Sequence, residues 1–271
     1  MKKGVLLIAI GNPIYIRMAY NLALSIRANE PMINITLIHD DSISKIDDIC
    51  KTVFNKLIPT QETNPFYLKL TINQLTPYDK TIYLDADMVN VKGFSIDAFF
   101  EQPQPFVIAN RGIILHNDWE QLDEPTLNVS SEFIYFEKCE KVDKIFTSAA
   151  EHYVNDYEGR TIGGFRPDEP SIVHGIKSIK YKLKEMPYHP TYWQGNSKAY
   201  VSAEAIKKTY PFLSMGGNRI ELRIQQLYDS IMKHYGYTMS MPYYKHQNKN
   251  TIVNRRKDMS TTMLLLSVIV I

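Results

Sequence analysis

Thr81-Ile82-Tyr83-Leu84-Asp85-Ala86-Asp87-Met88 is the stretch on which the reading turns. Four β-formers and apolar residues run straight into two carboxylates at i and i+2, so a buried strand ends where acidic side chains begin. In extended backbone, positions two apart project from one face, which would bring Asp85 and Asp87 together. Paired hard oxygen ligands suit Mg²⁺ or Mn²⁺, ions that bridge phosphate oxygens. A strand ending in polar turn residues has the same pattern, so the pair takes its meaning from its surroundings.

Upstream, Val5 to Ile10 is a continuous apolar run, as in a strand buried on both faces of a parallel sheet. Met18 to Ala28 has helical apolar spacing, and Ile35 to Ile38 is a second strand closing on His39-Asp40-Asp41. Ser42 with Lys45 to Val53 predicts a capped amphipathic helix, and Lys56 to Pro59 a short third strand. Asn64-Pro65 opens a helix carrying Phe66, Leu68, Leu70, Ile72 and Leu75. Strands alternating with helices predict an open α/β fold with a mostly parallel sheet, whose ligand crevice lies beyond the carboxyl ends of the strands.

Downstream the pattern changes. Phe106 to Ala109, Ile113 to Leu115 and Val129 to Phe136 read as strands, and Lys141 to Tyr153 as a helix. Pro187, Pro190, Pro211, Pro242 and Gly216-Gly217 break the remainder around one long helix, Ile220 to Tyr235. The expected organisation is one domain over 1–255, with a nucleotide-binding half (1–110) and an irregular acceptor half (111–255), then a basic and apolar tail (256–271).

Composition narrows the classes. The 271 residues are 44% apolar and 22% charged, which excludes disorder, and a net charge of +2 makes polyanion binding no default. Cys50 and Cys139 cannot build a disulfide framework or a zinc site, so the expected compartment is cytoplasmic. The run from Gly4 to Ile10 is too short for a secretory signal and reads as a strand. Met263 to Ile271 is apolar but far below the ~20 residues that span a bilayer. It is a terminal strand or a segment for peripheral membrane contact.

Lys69-Leu70, Leu75 and Tyr78-Asp79-Lys80 followed by Thr81 to Asp87 resemble the aspartate-motif region of GT-A glycosyltransferases, above all the glycogenin-like family 8. The resemblance extends to Ala9-Ile10-Gly11-Asn12 with Tyr15, to Asn128 through Phe136 and to Pro167-Asp168-Glu169-Pro170, covering about the first 175 residues. It implies a GT-A, Rossmann-like fold and transfer of a sugar from a nucleoside diphosphate, UDP favoured, to an acceptor hydroxyl, with retention. It further implies Mn²⁺ (or Mg²⁺) on Asp85 and Asp87, and a donor site from Ile10, Gly11, Asn12, Tyr15, Asp40, Lys69, Asp85 and Asp87. Lys69 also reads as a solvated helix face, and Asp40 as a turn former. Asp168 aligns with the family's acid and Glu169 replaces its glutamine; both are candidates for work at the reacting sugar, while Asp168 would equally N-cap a helix.

The family's third metal ligand, a histidine in a C-terminal motif, has no counterpart segment. His246, beside Lys245 and Lys249, is preferred over His189. His174-Gly175 is expected to be structural. Candidate acceptor contacts are Asn128, His189, Trp193 and Asn196, where aromatic and amide groups suit stacking on a sugar. A glycan is the first acceptor; DNA, favoured only by basic residues from Lys245 to Lys257, is the second. A nucleotidyltransferase would need a Gly-rich phosphate loop that Gly11-Asn12-Pro13 does not form, and a non-catalytic sugar-nucleotide-binding protein would not need the carboxylate pair.

Overall fold

The computed structural model describes residues 1–45, 48–91, 93–114, 126–155, 164, 166–184, 190–193, 205 and 208–214. The alternation read from the sequence is present: β1 (Lys3–Ala9), α1 (Pro13–Asn29), β2 (Asn34–His39), α2 (Asp48–Lys51), β3 (Lys56–Pro59), α3 (Pro65–Lys69), α4 (Ile72–Leu75) and β4 (Lys80–Asp85). These are followed by β5 (Met88–Asn90), β6 (Phe106–Ile114), β7 (Thr126–Glu137), α5 (Glu140–Asn155), α6 (Glu169–Ser178), β8 (Thr191–Trp193) and β9 (Phe212–Ser214).

Six strands form the main sheet in the order β3-β2-β1-β4-β7-β6. β3, β2, β1 and β4 run parallel, and β7 alone is antiparallel to its neighbours β4 and β6. The mostly parallel α/β sheet expected from the alternation is therefore the fold. Its strands are covered on both faces, which is why they read as unbroken apolar runs. Val5, Leu7 and Ala9 join Ile82, Leu84, Phe133 and Tyr135 in one core with α1, while Leu6, Ile8, Tyr83, Ile134 and Phe136 pack under α3, α5 and α6. Gly4 admits no side chain, because a Cβ there would collide with the ring of Tyr78, whose hydroxyl lies 2.7 Å from Thr36 Oγ1.

Several boundaries differ from the sequence reading. The single helix expected from Ser42 to Val53 is a 3-10 turn at Asp41–Lys45 and the short α2. The helix opened by Asn64-Pro65 is capped as expected, Asn64 Oδ1 accepting from the amides of Phe66 and Tyr67, but breaks after Lys69 into α3 and α4. The two strands expected around Ala109 and Ile113 are one bulged strand, β6. His174 and Gly175 lie within α6, Gly175 allowing that helix to close on the Ile145 carbonyl of α5.

A second sheet, β5-β9-β8, was not foreseen, because three-residue strands leave almost no periodicity to read. It brings a late segment of the chain beside the carboxylates. Met88, next to Asp87, pairs with Ser214, which pairs with Trp193. Two strand spacings, about 10 Å, thus separate the Met88 and Trp193 backbones. The expected helix at 220–235 and the tail at 256–271 lie outside the described residues.

Candidate active site

The carboxyl ends of β1, β2 and β4 lie side by side, since Ala9 pairs with His39 and Ile8 with Asp85. This edge collects the sequence-selected residues of the first half, as expected for a parallel sheet. Asp85 is the last residue of β4, and Ala86 and Asp87 form the turn into β5. The two-residue strand periodicity therefore aligns Tyr83 with Asp85, rather than Asp85 with Asp87: Tyr83 Oη donates to Asp85 Oδ1 at 2.7 Å. The two aspartates remain electrostatically joined through the turn.

Lys69 is the centre of the site. The solvated helix face is overturned, for Lys69 is only 6% exposed. Its ammonium lies 3.1 Å from Asp85 Oδ1 and 3.4 Å from Asp168 Oδ2, donates to Ser131 Oγ at 3.0 Å, and sits over the Tyr83 ring. Burial alone would lower its pKa; the Asp168 and Asp85 carboxylates outweigh burial and raise it well above the ordinary lysine value. Burial and the neighbouring Asp85 likewise push the Tyr83 hydroxyl well up, so it stays a donor. One cation from α3 thus ties the end of β4 to the start of α6.

Asp168 occupies the N-cap position of α6, with Pro170 in the first turn, yet its side chain makes no capping hydrogen bond. It is 1% exposed, with Oδ2 facing the Lys69 ammonium, and among the described residues neither carboxylate oxygen has a hydrogen-bond partner. Its charge is met by Lys69 rather than by the amides of α6, so the capping role does not account for this residue. Beside it, Glu169 Oε1 accepts from Ser131 Oγ at 3.2 Å. Burial and the adjacent Asp168 push the Glu169 carboxyl up to about 8, with Lys69 opposing. Burial, then Asp85 and Glu132, push Asp87 up to about 7, again against Lys69.

Asp40 does the work of a turn former: Oδ2 accepts from the Gly11 amide at 2.6 Å and Oδ1 from the Ser42 amide at 3.0 Å. These bonds outweigh burial and hold its carboxyl below the usual value. Gly11 adopts a positive φ of 83°, which glycine tolerates best, and Asn12 O accepts from Tyr15 N to start α1. The Ile10 side chain belongs to the core, leaving only its backbone to a ligand, and Tyr15 packs partly buried against the other core. Asn128 is half-buried on β7, upstream of Ser131. Trp193 is placed by its backbone on β8. His189, Asn196 and His246 lie outside the described residues, as do Lys245 to Lys257.

Ser131, Glu132 and Tyr83 were given no role from sequence. The signal was present in the first two, since Ser130-Ser131-Glu132 interrupts an otherwise apolar strand. β7 bulges there, Ile108 pairing with Ile134 but Ala109 with Ser130, and the bulge turns polar groups toward Lys69 and Asp87. Among the described residues no three His, Cys, Asp or Glu groups are clustered to hold a metal, so Asp85 and Asp87 supply at most a partial ligand set. Crowded carboxylates with too little positive charge are nevertheless what a divalent cation would relieve.

Comparison with known proteins places this architecture. The solved structure of the bifunctional glycosyltransferase WbbM superposes with a TM-score of 0.60 at 13% identity, covering 94% of this chain and 51% of that one. The glycosyltransferase GlyE of Streptococcus pneumoniae superposes at 0.55 and 13% identity, covering 95% of this chain and 64% of GlyE. The fold is thus that of solved glycosyltransferases. In sequence, an Arabidopsis thaliana protein, whose name attributes to it UDP-glucuronate:xylan alpha-glucuronosyltransferase activity, is 32% identical over 118 residues. That match covers 38% of this chain and 20% of the plant protein, so the chain corresponds to only part of its relative. No protein-family model matches the chain. Among the described residues no helix is long and apolar enough to cross a membrane.

Proposed function

We propose that this chain is a glycosyltransferase that moves a sugar from a nucleoside-diphosphate donor to a hydroxyl of a glycan acceptor. The observation that carries the reading is the Asp85–Lys69–Asp168 bridge at the carboxyl edge of a parallel sheet, in a fold shared with glycosyltransferases. A UDP donor is favoured by the name of the plant relative, and retention by the resemblance to family 8.

Asp85 and Asp87 would hold a divalent ion, Mn²⁺ or Mg²⁺, which when bound offsets charge on the departing diphosphate. In the transfer, the bond from the anomeric carbon to the phosphate oxygen would break with its electron pair leaving on the diphosphate, the acceptor oxygen would bond to that carbon, and the acceptor's proton would pass to the departing diphosphate oxygen. Asp168, ion-paired with Lys69, would supply negative charge to stabilise positive charge developing at this centre. Lys69 positions Asp85 and Asp168 against each other, and Glu169, bonded to Ser131, holds a proton at neutral pH.

The test is release of nucleoside diphosphate by the purified chain from UDP- and GDP-sugars, with and without Mn²⁺. Metal-dependent release is expected, with Asp87→Asn about 100-fold slower or more. A protein that neither turns over nor binds any nucleotide sugar would leave only the fold in common with these enzymes.

A further inference from the structure

We infer that Tyr153 of α5 is the positioning residue that sets the Lys69–Asp168 ion pair, its hydroxyl holding the segment that leads to each partner. The effect on sugar transfer rests on the transferase reading; the effect on the pair does not. Tyr153 is 5% exposed, and its ring packs against Tyr67 of α3 with centroids 5.9 Å apart, a contact that phenylalanine would make as well. The hydroxyl is what sets tyrosine apart here, since a buried O–H is costly unless it is bonded. It accepts from Asn64 Nδ2 at 3.0 Å and donates to the Arg166 carbonyl at 2.7 Å. Asn64 Oδ1 also stands within 3.4 Å, but the shorter bond claims the single proton. Burial raises the hydroxyl above its ordinary pKa, the Asn64 bond opposing and the Asp168 charge adding, so the proton stays in place.

Each of these contacts is one short, stiff step from the ion pair. Asn64 caps α3, and α3 ends at Lys69. From Arg166 the chain reaches Asp168 through Pro167, whose ring fixes φ, and Asp168 O then opens α6 by accepting from the Ile172 amide. Arg166 is tied a second time, its guanidinium donating to the Tyr153 and Val154 carbonyls at the end of α5. The segments that meet as Lys69 Nζ and Asp168 Oδ2, 3.4 Å apart, are therefore fastened to one another behind that meeting by a single hydroxyl. Placement at this level matters, because a shift of about 1 Å in a catalytic constellation can cost as much as 100-fold in rate.

Tyr153→Phe keeps the ring and removes the hydroxyl. Urea midpoints of the full chain with chelator, for Tyr153→Phe, Asp168→Asn and the double variant, should show a double loss smaller than the sum of the single ones, because the hydroxyl has less to position once the pair is gone. In UDP release from UDP-sugars with Mn²⁺, Tyr153→Phe should lower kcat about 10-fold and leave the donor KM within about twofold of wild type. Asn64→Ser, which keeps a capping oxygen but loses the amide donor, serves in the same measurements where Tyr153→Phe folds poorly. Additive midpoint losses, or an unchanged kcat, overturn the inference and leave the transferase reading intact. Coupled midpoints in a chain whose wild type turns over no donor sink the transferase reading and leave the positioning of the ion pair standing.

Discussion

The end of β4 and the start of α6 each present two carboxylates, and in each place the two do not behave alike. At β4, Asp85 touches the Lys69 ammonium and the Tyr83 hydroxyl, while Asp87, one turn residue further, is pushed up to about 7. At α6, Asp168 faces the same ammonium, while Glu169 receives a serine hydroxyl and is pushed up to about 8. One buried cation thus sorts four acids into two that are ion-paired and two whose carboxyls are pushed up. Carboxylates set apart in this way can take different roles at a single reacting centre.

Removing the shared cation should have the largest effect. Lys69→Ala leaves Asp85 and Asp168 without their counter-charge, and loss of one partner from a buried ion pair costs about 3–5 kcal/mol. Urea denaturation would measure it, and a loss below about 1 kcal/mol would mean that Lys69 does not hold the two regions together.

Substituting one member of each pair should separate them by sign. Asp168→Asn takes a partner from Lys69 and should destabilise the protein by about 1–3 kcal/mol. Asp87→Asn removes a repelled charge and should leave the metal-free protein at pH 8 unchanged or more stable. Equal destabilisation by both, in urea midpoints with chelator present, would break the comparison.

The smallest effect is on pH dependence. Asp87 and Glu169 have folded-state pKa values raised above their unfolded ones, so the stability associated with their neutral forms is fully present below the ordinary carboxylate range. It is lost as pH rises through about 7 and about 8. The melting temperature of chelated protein should therefore decline across this window, and Asp87→Asn with Glu169→Gln should flatten that decline. An unchanged slope in the double variant would show that these two groups do not titrate there.

Legibility differed between these regions for a physical reason. Asp85 and Asp87 stand out because a central parallel strand is apolar on both faces, so the first charged residues mark its end. Asp168-Glu169-Pro170 was equally visible, but as the start of a helix, and helix starts favour acids whatever else they do. The missing capping bond and the ion pair with Lys69 distinguish Asp168 from an ordinary cap. For Lys69 the sequence left a donor-site cation and a solvated helix face both open, because helical spacing tells which residues share a face, not what that face meets. The helix ends at Lys69, and its last side chain turns inward.

Local periodicity and the ends of apolar runs were enough, by themselves, to determine the βα alternation, the mostly parallel sheet and the strand-end carboxylates, because short-range patterns dictate which residues must be buried. Tertiary structure alone decided that one ammonium serves both Asp85 and Asp168, that a bulge in β7 delivers Ser131 to it, and that β8 and β9 stand beside Met88. Those contacts join residues tens of positions apart, and no period in a sequence encodes such a meeting.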